Sequence, residues 1–227
     1  MQNNKLSGIV RLSVFIAALL MLAVYLLPMW RIELDAPQYP EGLVLLIYPS
    51  KLGGDVEIIN GLNHYIGMKT LHAENFPEFT ILPYCIIFFI ALFLLTALIN
   101  RKKFLYFATV VFILFSLLAM YDFWRWEYNY GHDLNPEAAI KVPGMAYDPP
   151  LIGYKQLLNF AAYSIPDYGG WCYIAAAIIL TACSVLLIFK ARKMKRLQVM
   201  NSAIKTSTVV TAIICVLMFS SCTAQPQ

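Results

Sequence analysis

The chain has 227 residues, of which 60% are hydrophobic and 13% are charged, and its formal net charge is +4. A water-soluble core of this size cannot hold so much apolar surface, so the composition predicts an integral membrane protein. The charge is divided between acidic and basic segments, and we therefore do not interpret the positive total as a nucleic-acid-binding surface. The five cysteines form neither a CxxC pair nor a CxxCH motif, which argues against a zinc ribbon and a c-type cytochrome.

Four apolar segments are long enough to cross a bilayer as helices, which takes about 20 residues each. They cover about residues 9–30, 81–99, 104–124 and 171–189. The first is longer than a signal-peptide core of roughly 7–15 residues and lacks an A-x-A site, so we predict an uncleaved helix rather than a cleaved signal peptide. The segment centres contain no ionisable residue, which weakens transporter, pump and b-type cytochrome hypotheses.

The sequence thus predicts an all-α integral membrane fold, with residues 1–192 as a four-helix membrane domain and residues 31–80 and 125–170 as long loops. All thirteen acids lie in or at the edge of these loops, while the bases concentrate at the other connections. Because basic connections stay in the cytoplasm, we predict a cytoplasmic N-terminus, periplasmic loops and a bacterial inner-membrane location. The apolar spacing in residues 151–164 predicts a short helix, in the interface or packed on the bundle.

Residues 193–227 form a separate segment with a basic stretch, an apolar run over about 209–219, and the sequence Phe-Ser-Ser-Cys ending at Cys222. A basic stretch, a short apolar run and small residues before a cysteine are typical of a bacterial lipoprotein signal, so Cys222 is a candidate for lipidation. The alternative is a fifth transmembrane helix, for which the apolar run is short.

Three candidate metal ligands lie in the first loop: His64, Met68 and His72. A helix over residues 60–72 would place them at i, i+4 and i+8, on one face. Imidazole together with a thioether favours copper. The alternative is a turn or interface segment in which His64 bonds to the backbone. We expect the two loops to approach each other outside the bundle, which makes His132 and Met145 further candidate ligands.

Other side chains have weaker assignments. Asp55 and Glu57 are either solvated or orient a ligating imidazole by bonding to its other ring nitrogen. Cys85 and Cys172, at the outer ends of the second and fourth segments, either form a disulfide, bind metal as thiolates, or are ordinary small helix residues. The sequence has no nucleophile elbow, zincin motif or Walker loop, and we predict that the protein is not an enzyme.

The sequences GGDVEIINGLNHYIGM (residues 53–68) and YDFWRWEYNYGHDLNPEAAIKVPGMAYDPPLIGYKQLLNF (residues 121–160) resemble a small family of membrane proteins encoded in nitrous-oxide reductase gene clusters. The resemblance covers about residues 10–190. The tail, in turn, resembles the signal peptide and lipobox of the NosL copper lipoproteins. Together these resemblances imply a setting in denitrification: copper as the cofactor, and nitrous-oxide reductase or a NosL-like lipoprotein as the partner at the outer face of the membrane.

Three hypotheses follow. The first is an accessory protein, or copper chaperone, that handles copper or docks partners during nitrous-oxide reductase maturation, with His64, Met68 and His72 tested first and His132 and Met145 after them. The second is a quinol-interacting or electron-transfer subunit that uses an aromatic cluster, whose alternative interpretation is an interfacial belt. The third is a structural anchor for partner proteins. The aromatic cluster comprises Tyr121, Trp124, Trp126, Tyr128 and Tyr130.

Overall fold

The computed structural model describes residues 4–140, 144, 146–157 and 159–222, with the backbone alone for most of residues 202–222. These residues form both helices and strands, and a 3-10 turn, Ala73–Asn75, precedes the third helix. The elements are α1 Gly8–Leu26, β1 Trp30–Ala36, β2 Tyr39–Ile47, β3 Leu52–Gly54, α2 Val56–Ile66, α3 Glu78–Ile99, α4 Lys102–His132, β4 Gly153–Leu157, β5 Phe160–Pro166 and α5 Tyr168–Cys222.

Four of the described helices are long and apolar enough to cross a membrane: α1, α3, α4 and the Tyr168–Asn201 part of α5. The chain is a multi-pass membrane protein, and its apolar helices fit a lipid bilayer. With 31 residues, α4 extends about 46 Å at 1.5 Å per residue, whereas the hydrocarbon layer is about 30 Å thick. Part of α4 therefore continues beyond the bilayer.

The N-terminal segment and the basic turn between α3 and α4 lie together, at one end of the helices. The backbone N–H of Lys102 donates to the Asn4 carbonyl at 3.1 Å. Asn100 ends α3 in the left-handed region with φ of 57°, and its side-chain oxygen accepts the N–H of Leu6 at 3.0 Å. Arg11 donates from Nε to the Ala97 carbonyl at 3.0 Å. Two of the basic segments found in the sequence thus meet.

The predicted all-α fold is wrong, because the two long connections form a five-stranded antiparallel sheet in the order β3-β2-β1-β5-β4. The first connection supplies β1, β2 and β3, and the second supplies β4 and β5. The central pairing of β1 with β5 runs from Trp30 opposite Pro166 to Asp35 opposite Ala161. It joins the two connections into one domain at the ends of the helices.

The sequence contains the strand pattern that the loop interpretation missed. In β1, WRIELDA, apolar and polar residues alternate with a period of two, as they do in a strand with one buried face. The short helix expected over residues 151–164 is also wrong, since β4 and β5 pair there as a hairpin with Leu157 opposite Phe160. The prolines and acidic residues around these strands are also common in loops, so only the apolar–polar alternation distinguishes the strands from loops here.

The inner face of the sheet packs on α2 and on the last turns of α4. Its buried cluster combines side chains of the first connection with Tyr130 of α4, so the first connection does not fold as a free loop. The cluster comprises Trp30, Ile32, Leu43, Leu45, Ile59, Leu71 and Tyr130. Trp30 also donates from Nε1 to the Ser164 hydroxyl at 2.8 Å, so a buried hydrogen bond secures the pairing of β1 with β5.

The chain divides into two compact units, residues 1–183 and 184–227. The first contains the sheet domain together with α1, α3, α4 and the first part of α5. In the second unit α5 continues to Cys222. The predicted fifth span or lipoprotein signal lies within this continuation, and both remain predictions.

Candidate functional site

The segment that carries His64 and Met68 is a helix that ends earlier than predicted. Instead of covering residues 60–72, α2 stops at Ile66, and Gly67 follows with φ of 82° in the left-handed region. A Cβ at Gly67 would lie 2.9 Å from the Ala138 Cβ, so both the conformation and the close approach require glycine. The common helical face of His64, Met68 and His72 therefore does not form.

The predicted ligands lie in different environments. His64 is exposed in the last turn of α2, and His72 is exposed just before the Ala73–Asn75 turn. Met68 is half-buried and packs against the core cluster of the sheet domain. Met145 lies outside the described residues. Among the residues that the structure describes, no three His, Cys, Asp or Glu side chains converge as a metal-binding group. The metal assignment remains a prediction.

The expected approach of the two loops is confirmed. The backbone N–H of Asn135 donates to the Gly67 carbonyl at 2.8 Å, and that of Ile140 donates to the Tyr65 carbonyl at 2.9 Å. Lys69 Nζ lies 2.5 Å from the Asp133 carboxylate. The Tyr130 hydroxyl donates to the Lys69 carbonyl. These bonds place the segment after α2, which contains Met68, beside the end of α4, which contains His132.

The imidazole of His132 is held in one orientation at the end of α4. Its Nδ1 lies 2.8 Å from the Tyr128 carbonyl, which can only accept, so Nδ1 is the protonated nitrogen. The ring stacks on Tyr128 with centroids 3.9 Å apart. Asp148 lies 4.0 Å from the same nitrogen and pairs with Lys155 at 3.0 Å. This tautomer leaves Nε2 as the nitrogen with a lone pair.

A cavity of about 330 Å³ lies between the inner face of the sheet, α2 and the last turns of α4. We call it the sheet cavity. Its volume falls within the range of about 300–1,000 Å³ that is usual for small-molecule sites, and its walls are mostly aliphatic and aromatic. Its walls include Leu62, Asn63, Met68, Trp126, Tyr130 and Tyr147.

Two polar groups at the wall of the sheet cavity have no hydrogen-bond partner among the described residues: the Tyr147 hydroxyl and Trp126 Nε1. Tyr147 is 2% exposed, so water does not replace the missing partner from outside. By contrast, Asn63 donates from Nδ2 to the Tyr130 hydroxyl at 2.8 Å. A buried, unpaired donor costs about 1–3 kcal/mol. The two unpaired groups therefore favour a ligand that supplies an acceptor.

The predicted aromatic cluster divides between two faces of α4. Trp126 stacks on Tyr130 at 5.3 Å toward the core. On the exposed face, Trp124 lies 5.9 Å from Tyr128. Only the inner pair lines the sheet cavity, so the cluster contributes two aromatic side chains to this site rather than five.

The remaining predicted side chains have other roles or partners. Asp55 Oδ2 accepts the backbone N–H of Val44 at 2.9 Å, and this carboxylate therefore stabilises β2. Glu57 is exposed in the first turn of α2. Cys85 and Cys172 are free thiols, so the disulfide considered between them does not form.

Sequence reasoning missed Tyr147, Asn63 and the sheet cavity itself. The cavity walls include residues of β1, β2, β4 and β5, which the sequence predicts as loop or, over residues 151–164, as a short helix. A cavity between unrecognised strands leaves no local signal. Tyr147 lies in a proline-rich segment, where no local pattern distinguishes a buried tyrosine from an exposed one. No protein-family model, curated protein or solved structure matches the chain.

Proposed function

We propose that this is a membrane-anchored binding protein whose sheet domain takes a small apolar molecule bearing carbonyl oxygens, of the quinone and quinol class. One observation carries the proposal: the sheet cavity is apolar and two buried donors, Trp126 Nε1 and the Tyr147 hydroxyl, face no partner among the described residues. The proposal retains the quinol hypothesis that was based on the sequence and assigns the ligand to a defined cavity.

The chemistry of the wall selects this class of ligand. An indole N–H can only donate, so a ligand group that meets Trp126 must accept, as a carbonyl oxygen does. The stacked rings of Trp126 and Tyr130 offer an aromatic surface, and planar rings pack well against such surfaces. Contact with the apolar remainder of the wall favours ligand binding by about 25 cal/mol for each Å² of apolar surface that is removed from water.

The distribution of charge supports an extracytoplasmic sheet domain. The N-terminal segment meets the basic turn of residues 101–103 at one end of the helices, and the acid-rich connections form the sheet at the other end. By the positive-inside rule, the basic end is cytoplasmic. A bacterial inner membrane with the sheet cavity on its outer side is therefore part of the proposal.

Titration of detergent-purified protein with menadione, a tail-less quinone, tests the proposal. We expect saturable binding, and we expect Tyr147→Phe to weaken it about 3- to 10-fold, since one hydrogen bond contributes roughly 0.5–1.5 kcal/mol. Tyr154→Phe is the control because Tyr154 is 67% exposed on β4 and does not line the sheet cavity. Equal menadione affinity in both variants would contradict the role of the Tyr147 hydroxyl, and no binding to the unmodified protein would contradict the function.

A second proposal keeps the copper-handling role in nitrous-oxide reductase maturation, with that reductase or a NosL-like lipoprotein as partner. Its support is the junction between the loops, where Met68 lies beside the segment of His132 and the Nε2 lone pair of His132 remains available. Under this proposal copper passes by ligand exchange between His and Met side chains, with no chemistry on an organic substrate.

Copper content after loading with Cu(I) and desalting tests this second proposal. We expect Met68→Ala and His132→Ala each to reduce bound copper by at least half, because each removes a ligand. Met120→Ala is the matched control, since Met120 is exposed on the membrane part of α4. Identical copper content in all three variants would exclude the proposed ligands.

A further inference from the structure

A second cavity, of about 410 Å³, lies where the sheet domain meets α3 and α4. We call it the crevice. Its walls come from the first turns of α3, from α4 between Phe115 and Trp126, and from the β2 and β3 side of the sheet domain. Apolar side chains form most of the surface, and Glu78 and Asp122 supply its carboxylates. The crevice therefore spans the boundary between the membrane helices and the sheet domain.

The rim of the crevice faces outward from the helices. Ile81 of α3 is 58% exposed and Leu118 of α4 is 64% exposed, although both line the crevice. Both belong to helices that are long and apolar enough to span a bilayer. The surroundings of these side chains are then lipid, so the crevice opens sideways into the bilayer rather than into water.

The crevice and the sheet cavity share one wall, the indole of Trp126. This ring stacks on Phe123 at 5.8 Å and meets Phe76 edge-on at 5.6 Å. Its buried Nε1 has no partner among the described residues. The two cavities therefore adjoin at Trp126.

We propose that the ligand of the sheet cavity is drawn from the bilayer, and that it binds with its ring in the sheet cavity and its apolar tail in the crevice, past Trp126. The inference rests on the proposed quinone-binding function and specifies the ligand as membrane-dissolved and tailed. The hydrocarbon surroundings of the rim commit the occupant to a bilayer component. The two adjoining cavities match the two parts of such a molecule, a ring with acceptors and a hydrocarbon chain.

The test compares menadione with the same ring carrying a ten-carbon chain, by calorimetric titration in one detergent. We expect the chain to tighten binding to the unmodified protein at least tenfold. Leu118→Trp, which fills the crevice from its rim, should reduce that gain to less than twofold while menadione affinity stays unchanged. Leu117→Trp is the matched control, because Leu117 is also 64% exposed but does not line the crevice. It should retain the full gain.

The outcomes separate the two proposals. If menadione binds but the chain adds nothing, or if Leu118→Trp retains the full gain, the crevice is not the tail site and the quinone-binding function still stands. If neither compound binds the unmodified protein, both proposals fail. Ile81→Trp, on the opposite wall, repeats the test should Leu118→Trp elute as an aggregate in size-exclusion chromatography.

Discussion

At the residue scale, the polar groups buried beneath the sheet decide what the site can do. Glu127 is 2% exposed, and neither of its carboxyl oxygens has a hydrogen-bond partner among the described residues. A charged carboxylate in such surroundings costs several kcal/mol, so the neutral acid is favoured. From the sequence, Glu127 is one more acid of the predicted loop over residues 125–170, because its burial depends on contacts that only the folded sheet domain provides.

Replacing Glu127 by methionine should stabilise the protein, because a buried unpaired polar group gives way to an apolar side chain of similar length. We expect a gain of about 1 kcal/mol, measured as a higher unfolding temperature in detergent. Glu137→Met, at an exposed position, is the control and should have no effect. A marked loss of stability in Glu127→Met alone would show that the carboxyl group makes a bond that this account lacks.

Two glycines of the sheet domain should respond in opposite directions to alanine. A Cβ at Gly131 would lie 2.2 Å from the Asp148 backbone nitrogen, whereas a Cβ at Gly61 meets nothing within 4 Å. Gly131→Ala should destabilise the protein by about 1–3 kcal/mol through overpacking. Gly61→Ala, in the interior of α2, should stabilise it by up to about 1 kcal/mol. Thermal unfolding of both variants checks this difference, and equal shifts would contradict the close packing of α4 on residue 148.

At the element scale, the sequence predicted the membrane helices and the meeting of the two loops but not the sheet. A run of about 20 apolar residues identifies a span without tertiary information. The alternation in β1 was visible, yet its partner β5 lies more than 120 residues away in the register that pairs Glu33 with Tyr163. Strand pairing over that sequence distance depends on the tertiary fold and cannot be predicted from local sequence. The same holds for the end of α2 at Gly67, where Ala138 from the second connection packs closely.

Proline at position 162 should disrupt the sheet domain without removing the membrane helices. Ala162 is fully buried and pairs with Leu34 of β1 and with Lys155 of β4. A central strand does not tolerate proline, which lacks the N–H and fixes φ. We expect Ala162→Pro to make the sheet domain sensitive to protease while the protein still fractionates with membranes. Protease resistance equal to that of the unmodified protein would contradict the central position of β5.

At the scale of the whole molecule, the sheet domain lies at the ends of the helices opposite the N-terminal segment, and the distribution of charge is the basis of its proposed extracytoplasmic side. In a cysteine-free background, a cysteine at position 64 should react with a membrane-impermeant maleimide in intact spheroplasts. A cysteine at position 102, in the basic turn, should react only after lysis, because the proposed orientation places that turn in the cytoplasm. The reverse labelling pattern would overturn the proposed orientation.

Calorimetric titration of the purified protein with menadione, with a cavity-filling variant included, tests whether a quinone binds in the sheet cavity. Leu62 lines the cavity from α2, while Ile58 of the same helix is 38% exposed and does not line it. We expect saturable one-site binding by the unmodified protein and by Ile58→Trp, and its loss in a folded Leu62→Trp variant. Saturable binding that survives in Leu62→Trp, or no binding to the unmodified protein, would contradict quinone binding in the sheet cavity.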